Sequence, residues 1–187
     1  MHYCSIIITK EFPTNDVLEE ILRPYNEDDY YSQDERQVPP TFMWDWWQVG
    51  GRYSGQIKLT IDKDDEEYQW CYMSKEPRAG RLFRSSTLEH FQFLSNKNNS
   101  FYFEEDYFPS MGYRDGFLYV DGGRVKDIQN LKELGCFNFI DKDGKAFTRS
   151  YYDGQGNFID NPDFDEQFIN TLKNSQDCYI CVVDIHD

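Results

Sequence analysis

The chain predicts an α+β fold: a mixed or antiparallel sheet with helices on one face, most specifically a ferredoxin-like core with insertions. It opens strand–helix, it closes helix–strand, and hairpin signals fill the space between. In that topology the first and last strands are antiparallel neighbours. The 187 residues suit a single domain, 1–187, with a poorly legible insertion near 75–115 and no long linker.

Tyr3 to Thr9 is Ile-rich and reads as a buried strand. Thr14 or Asn15 then caps a helix whose Val17, Leu18, Ile21 and Leu22 share one face, and Pro24 ends it. Asn26 to Pro40 is polar and acidic and reads as an irregular loop. Gln56 to Ile61 and Tyr68 to Met73 alternate apolar and polar residues, which predicts a hairpin joined through the acidic run Asp62 to Glu67. Within 75–115, Ser86 to Leu94 carries a capping signal, with Ser86 as cap and Glu89 three residues on. Phe117 to Val120 reads as a strand ending in the turn Asp121-Gly122-Gly123. Asp127 to Leu134 reads as a helix stopped by Gly135. Phe137 to Ile140 and Ala146 to Tyr151 flank Asp141-Lys142-Asp143-Gly144, a hairpin signature. Asp163 to Lys173 has Phe164, Phe168, Ile169 and Leu172 at helical spacing, and Asp177 to Ile185 is the final strand.

Composition excludes several classes. Nineteen Lys and Arg against 34 Asp and Glu give a net charge of −15, so unaided non-specific DNA binding along a basic groove is not expected. Aromatics are 18% of the chain, too many for a disordered acidic segment. No apolar run reaches membrane-spanning length, and Met1 to Lys10 lacks the basic region and cleavage site of a signal peptide. The five cysteines, an odd number, fit reduced thiols, so a cytoplasmic location is expected. Cys178-x-x-Cys181 lacks the second pair a zinc site needs, and the Asp141 turn lacks the spacing of a calcium loop. No cofactor or metal is expected.

Two constellations stand out. Trp44-Asp45-Trp46-Trp47-Gln48-Val49-Gly50-Gly51-Arg52-Tyr53-Ser54-Gly55 concentrates three of the four tryptophans beside a flexible Gly pair. Arg52 offers a fork for phosphate, and Trp44, Trp46, Trp47 and Tyr53 offer faces for a base. Asp45 is a candidate for proton transfer. The plain alternative is a tight turn with tryptophans in the core and an Asp45–Arg52 pair. The second constellation is geometric. If the terminal strands pair antiparallel, His2 and His186 share one edge, with Asp184 on the face of His186. The two imidazoles of His2 and His186 with the Asp184 carboxylate make an acid–base set near neutral pH, and Asp45 of the Trp block joins them as a fourth candidate catalytic residue. The plain alternative is two frayed histidines in solvent.

Met1-His2-Tyr3, the Trp44–Gly55 block, Phe139-Ile140-Asp141-Lys142-Asp143-Gly144 and Val182-Val183-Asp184-Ile185-His186 together resemble a family of small proteins carried by phages and other mobile elements. In that family a D-W-W-x-x-G-G-R-[WY]-x-G block and a V-V-D-x-H ending recur; residues 75–115 have no counterpart. The resemblance implies a host-takeover or anti-defence role in the bacterial host cytoplasm, with anti-CRISPR proteins the leading example. It implies a Cas-type nuclease with its guide RNA as partner. Three activities follow as expectations: promotion of metal-independent RNA cleavage, acidic mimicry of nucleic acid on a basic nuclease, or capture of a nucleotide signal.

Overall fold

A computed structural model describes residues 1–11, 13–27, 44–60, 69–76, 79–85, 112–114, 117–152, 155 and 157–186. The acidic run Asp62 to Glu67, the predicted helix Ser86 to Leu94 with His90, and most of the loop Asn26 to Pro40 lie outside these residues. The fold is α+β, with a mixed sheet and two short α-helices among the described residues. In chain order the elements are β1 (His2–Thr9), α1 (Asn15–Leu22), β2 (Trp46–Val49), β3 (Ile57–Thr60), β4 (Gln69–Glu76), β5 (Ala79–Ser85) and β6 (Gly112–Arg114). There follow β7 (Phe117–Val120), β8 (Gly122–Arg124), β9 (Asn138–Ile140), β10 (Ala146–Thr148), β11 (Ser150–Tyr152), β12 (Phe158–Asp160), α2 (Phe164–Lys173) and β13 (Tyr179–His186).

The main sheet runs β10-β9-β1-β13-β2, and β8 also pairs with β13. The expected antiparallel pairing of first and last strands is present, in register from His2↔His186 to Thr9↔Tyr179. β2 and β8 lie end to end on the other side of β13, against Val183–His186 and Tyr179–Cys181 respectively. Val182 marks the break between them: its carbonyl accepts from Gly50 N and its N–H donates to the Asp121 carbonyl.

Two features depart from a ferredoxin-like core. β9 runs parallel to β1, where that topology requires an antiparallel neighbour. The helices also lie on opposite faces, not on one. Leu18 and Leu22 of α1 pack with Ile7, Cys181, Val183 and Ile185. Phe164, Phe168 and Leu172 of α2 pack with Ile6, Ile8, Ile180 and Val182. Alternate residues of a strand face opposite sides, so each helix covers one set. The unbroken apolar runs of β1 and β13 are those of strands buried on both faces.

Local signals explain the helix ends. The Thr14 hydroxyl accepts from Val17 N at 3.2 Å, a cap worth about 1 kcal/mol. The β9–β10 turn is closed by Asp141 Oδ1, which accepts from the amides of Asp143 and Lys145.

Two further expectations are corrected. β3 pairs with β7, and β4 pairs with β5, so the described parts of the predicted hairpin Gln56–Ile61 and Tyr68–Met73 pair with other strands and not with each other. Asp127–Leu134 is not an α-helix: a 3₁₀ turn at Val125–Asp127 leads into an extended bridge between Ile128 and Leu59. Here the β3 backbone outcompetes the local helix. Gln129 N donates to Lys58 O, and the Asn130 amide bonds both Lys58 N and Gln56 O.

Candidate functional site

The site grows from one register line across the sheet. His186 of β13 lies opposite His2 of β1 and opposite Trp46 of β2. The three rings therefore meet on one face. His2 and His186 touch edge to face, with centroids 5.0 Å apart and planes at 72°. Trp46 lies parallel to His186 at 5.5 Å and edge-on to His2 at 5.3 Å.

Each imidazole is held by its own carboxylate. His2 Nδ1 lies 3.0 Å from Asp184 Oδ1, and His186 Nδ1 lies 2.8 and 3.0 Å from the two oxygens of Asp45. An ionised carboxylate only accepts, so both Nδ1 atoms carry hydrogen. In the neutral rings Nε2 is then the basic nitrogen of each. In agreement, the Met1 amino group donates to His186 Nε2 at 3.5 Å. The two pairs differ in burial: Asp184 is 1% exposed and Asp45 is 44% exposed.

The Gly50-Gly51 turn fixes this arrangement. Its φ angles are +68° and +52°, a region that side chains other than glycine rarely occupy. A Cβ on Gly50 would collide with the Asp121 carboxylate, and a Cβ on Gly51 would collide with Cβ and Oδ2 of Asp184. The turn thus lets backbone close down on two buried acids. Asp121 Oδ1 accepts from Ser54 Oγ at 2.6 Å and Gly55 N at 2.8 Å. Asp184 Oδ2 accepts from Arg52 N at 3.0 Å. The Tyr53 hydroxyl donates to the His2 carbonyl at 3.0 Å, tying the turn to β1. Burial, then the neighbouring Cys4 and Asp184, push the Tyr53 hydroxyl up to about 12, against an opposing pull from Arg52.

His2, His186, Asp184 and Asp45 are thus brought together, with Trp46 against both rings. The carboxylate assignments differ from the simplest reading: Asp184 holds His2, not its strand neighbour His186, and Asp45 holds His186, not Arg52. Arg52 is exposed and contributes its main-chain N–H to Asp184. Trp44 and Trp47 are core residues, 2% and 0% exposed, and offer no face to a ligand. Strand alternation separates Trp47 from Trp46, and Trp44 Nε1 donates to the Leu22 carbonyl at the end of α1. Sequence reasoning missed Gln48, which lies buried opposite Asp184, and missed Asp121 and Ser54.

Comparison with family models, curated proteins and solved structures found no match to this chain. Among the described residues no helix is long and apolar enough to cross a membrane. Also among them, no group of three or more His, Cys, Asp or Glu is arranged to hold a metal ion.

What the arrangement can do is proton transfer. A neutral imidazole can act as a base and an imidazolium as an acid, so two rings in one site can supply both roles. The buried carboxylate fixes the tautomer and orientation of His2, and Asp45 does the same for His186 from solvent.

Proposed function

We propose that the protein promotes metal-independent cleavage of RNA, as an anti-defence factor directed at a nucleic-acid-guided effector such as a Cas-type nuclease. The observation that carries the chemical part is the contact of His2 and His186 at 5.0 Å, each with Nδ1 held by a separate carboxylate. The anti-defence part rests on the resemblance to mobile-element proteins.

In this reading one imidazole takes the proton of the ribose 2′-hydroxyl through Nε2. The 2′ oxygen attacks phosphorus, and the bond from phosphorus to the 5′ oxygen breaks. The other imidazolium gives its Nε2 proton to that leaving oxygen. The products are a 2′,3′-cyclic phosphate and a 5′-hydroxyl, and water is not consumed. Asp184 and Asp45 hold the rings, the exposed Arg52 guanidinium faces a non-bridging oxygen, and Trp46 supports both imidazoles. An acidic protein approaches RNA poorly alone, so a basic effector presents the guide RNA.

The test is incubation of guide RNA with the protein, with and without effector, in EDTA. Cleavage with cyclic-phosphate ends is expected, abolished by a 2′-deoxy substitution at the cut and by H2A or H186A. Intact RNA in every lane refutes the reading.

The net charge of −15 supports a second reading, an acidic inhibitor that occupies a basic nuclease channel. It expects a complex that weakens steeply with salt and that H2A and H186A leave intact. A complex unchanged at high salt removes it.

A further inference from the structure

Beside the imidazole pair lies an open cleft of about 400 Å³, and His2 lines both. Its walls include Tyr3 and Phe137, whose rings stack at 4.6 Å, together with Tyr53 and Gln56. Arg149 also lines it, but its charge is already committed. It forks onto Asp165 at 2.6 and 3.2 Å, bonds the Cys136 carbonyl, and lies 4.7 Å over the Phe164 ring. The two cysteines of the wall, Cys4 and Cys136, are thiols that burial pushes far up, so they carry no charge near neutrality.

The cleft is therefore nearly neutral apart from its His2 rim, and it is lined by aromatic and amide groups. Such a lining suits the planar, uncharged part of a nucleotide and not its phosphate. Gln56 accepts from Cys4 through Oε1, which leaves its amide N–H groups as donors to a base edge. The size also fits: a volume of about 400 Å³ lies at the small end of ligand sites. Gly135 lines the same cleft, and a Cβ built there meets no described atom within 4 Å.

We propose that this cleft is a nucleoside subsite, which takes one unpaired base and its ribose while the attached phosphate lies over His2 and His186. The proposal rests on the phosphodiester reading of the imidazole pair and adds the substrate class to it: single-stranded RNA, because an unpaired base enters without the unstacking and unpairing cost of a few kcal/mol that a paired one carries.

The experiment titrates the full chain with adenosine, guanosine, cytidine, uridine and inorganic phosphate, followed by amide NMR shifts. At least one nucleoside should bind saturably and shift Gly135 and Phe137, whereas phosphate should leave those amides unmoved. G135L, which adds a side chain at the cleft wall where a Cβ meets no described atom and φ is not positive, should weaken nucleoside binding at least tenfold at an unchanged melting temperature. Absence of saturable binding overturns the subsite, as does binding that maps away from these amides in the wild-type chain, a result that does not depend on the variant folding. The same samples are assayed for RNA cleavage. Cleavage that needs both histidines but ignores G135L removes the subsite and keeps the chemistry. Nucleoside binding at Gly135 without any RNA cleavage removes the chemistry and keeps a nucleoside site.

Discussion

Asp121 and Asp184 are both fully buried carboxylates, and they face consecutive glycines of one turn. Asp121 accepts from a hydroxyl and a main-chain amide, donors that do not titrate near neutrality. Asp184 accepts from a main-chain amide and from an imidazole that is 22% exposed on its side chain. The first acid anchors the turn. The second joins the same turn to a ring that can gain and lose a proton in contact with solvent. A buried acid thus becomes part of a candidate site through the chemistry of one donor, since burial itself does not distinguish the two.

The sharpest way to break this comparison is to disturb the turn both acids share. Gly50→Ala and Gly51→Ala each place a Cβ into a buried carboxylate at a positive φ. Backbone strain and overpacking together should cost about 4 kcal/mol, read as a lower urea midpoint at an unchanged slope. A loss below about 1 kcal/mol would mean the turn relaxes freely and holds neither acid in place.

The next effect separates the acids from each other. Asp121→Ala orphans the Ser54 hydroxyl and the Gly55 amide and should lose about 3 kcal/mol of stability. Asp184→Asn keeps shape and keeps an acceptor for Arg52 N, so its stability loss should be about 1 kcal/mol. Its amide would instead donate to His2 Nδ1 and force the opposite tautomer. If the phosphodiester reading holds, cleavage should fall about 10²- to 10⁴-fold in this variant. Equal stability losses, with cleavage unchanged by Asp184→Asn, would erase the distinction.

Asp45 extends the comparison to solvent. It holds His186 as Asp184 holds His2, but it is 44% exposed. Asp45→Ala should change stability by less than about 1 kcal/mol, because water replaces an exposed partner. If the phosphodiester reading holds, cleavage should fall about tenfold, less than for Asp184→Asn, since a ring solvated on one side keeps much of its freedom to find the productive tautomer. Loss of cleavage equal to that of Asp184→Asn would show that burial of the carboxylate is irrelevant.

These residues also show what was legible in the sequence. His2, Asp184 and His186 followed from one argument, because a strand at each end of an α+β chain and antiparallel pairing suffice to align them. Asp45 was visible as a candidate, but its partner was not: the sequence offered Arg52 nearby, whereas β2 pairing with β13 delivers His186. The tryptophans were read as one cluster because 46–49 did not look like a strand. Alternation then sends Trp47 to the core and leaves Trp46 on the His2 and His186 face. Asp121 was hidden in a turn signal, since its role depends on two strands meeting end to end at Val182, a long-range event with no local mark. For the same reason Asp127–Leu134 misread as helix, where an edge strand claimed its backbone.

The smallest expected effect concerns Tyr53, which links the turn to β1 through the His2 carbonyl. Its hydroxyl is pushed up to about 12 from an ordinary value near 10, first by burial. The protonated phenol is therefore favoured in the folded state. This contribution is complete below the unfolded value and is lost as pH rises toward the folded one, so its window is about pH 10 to 12. Tyr53→Phe should cost about 1 kcal/mol at neutral pH through the lost hydrogen bond. In exchange, its urea midpoint should fall less than that of the wild type between pH 10 and 12. The two denaturation series run in parallel check this. Identical slopes through that window would mean that Tyr53 ionises as it does in the unfolded chain, and that the turn is not held against β1 by a half-buried phenol.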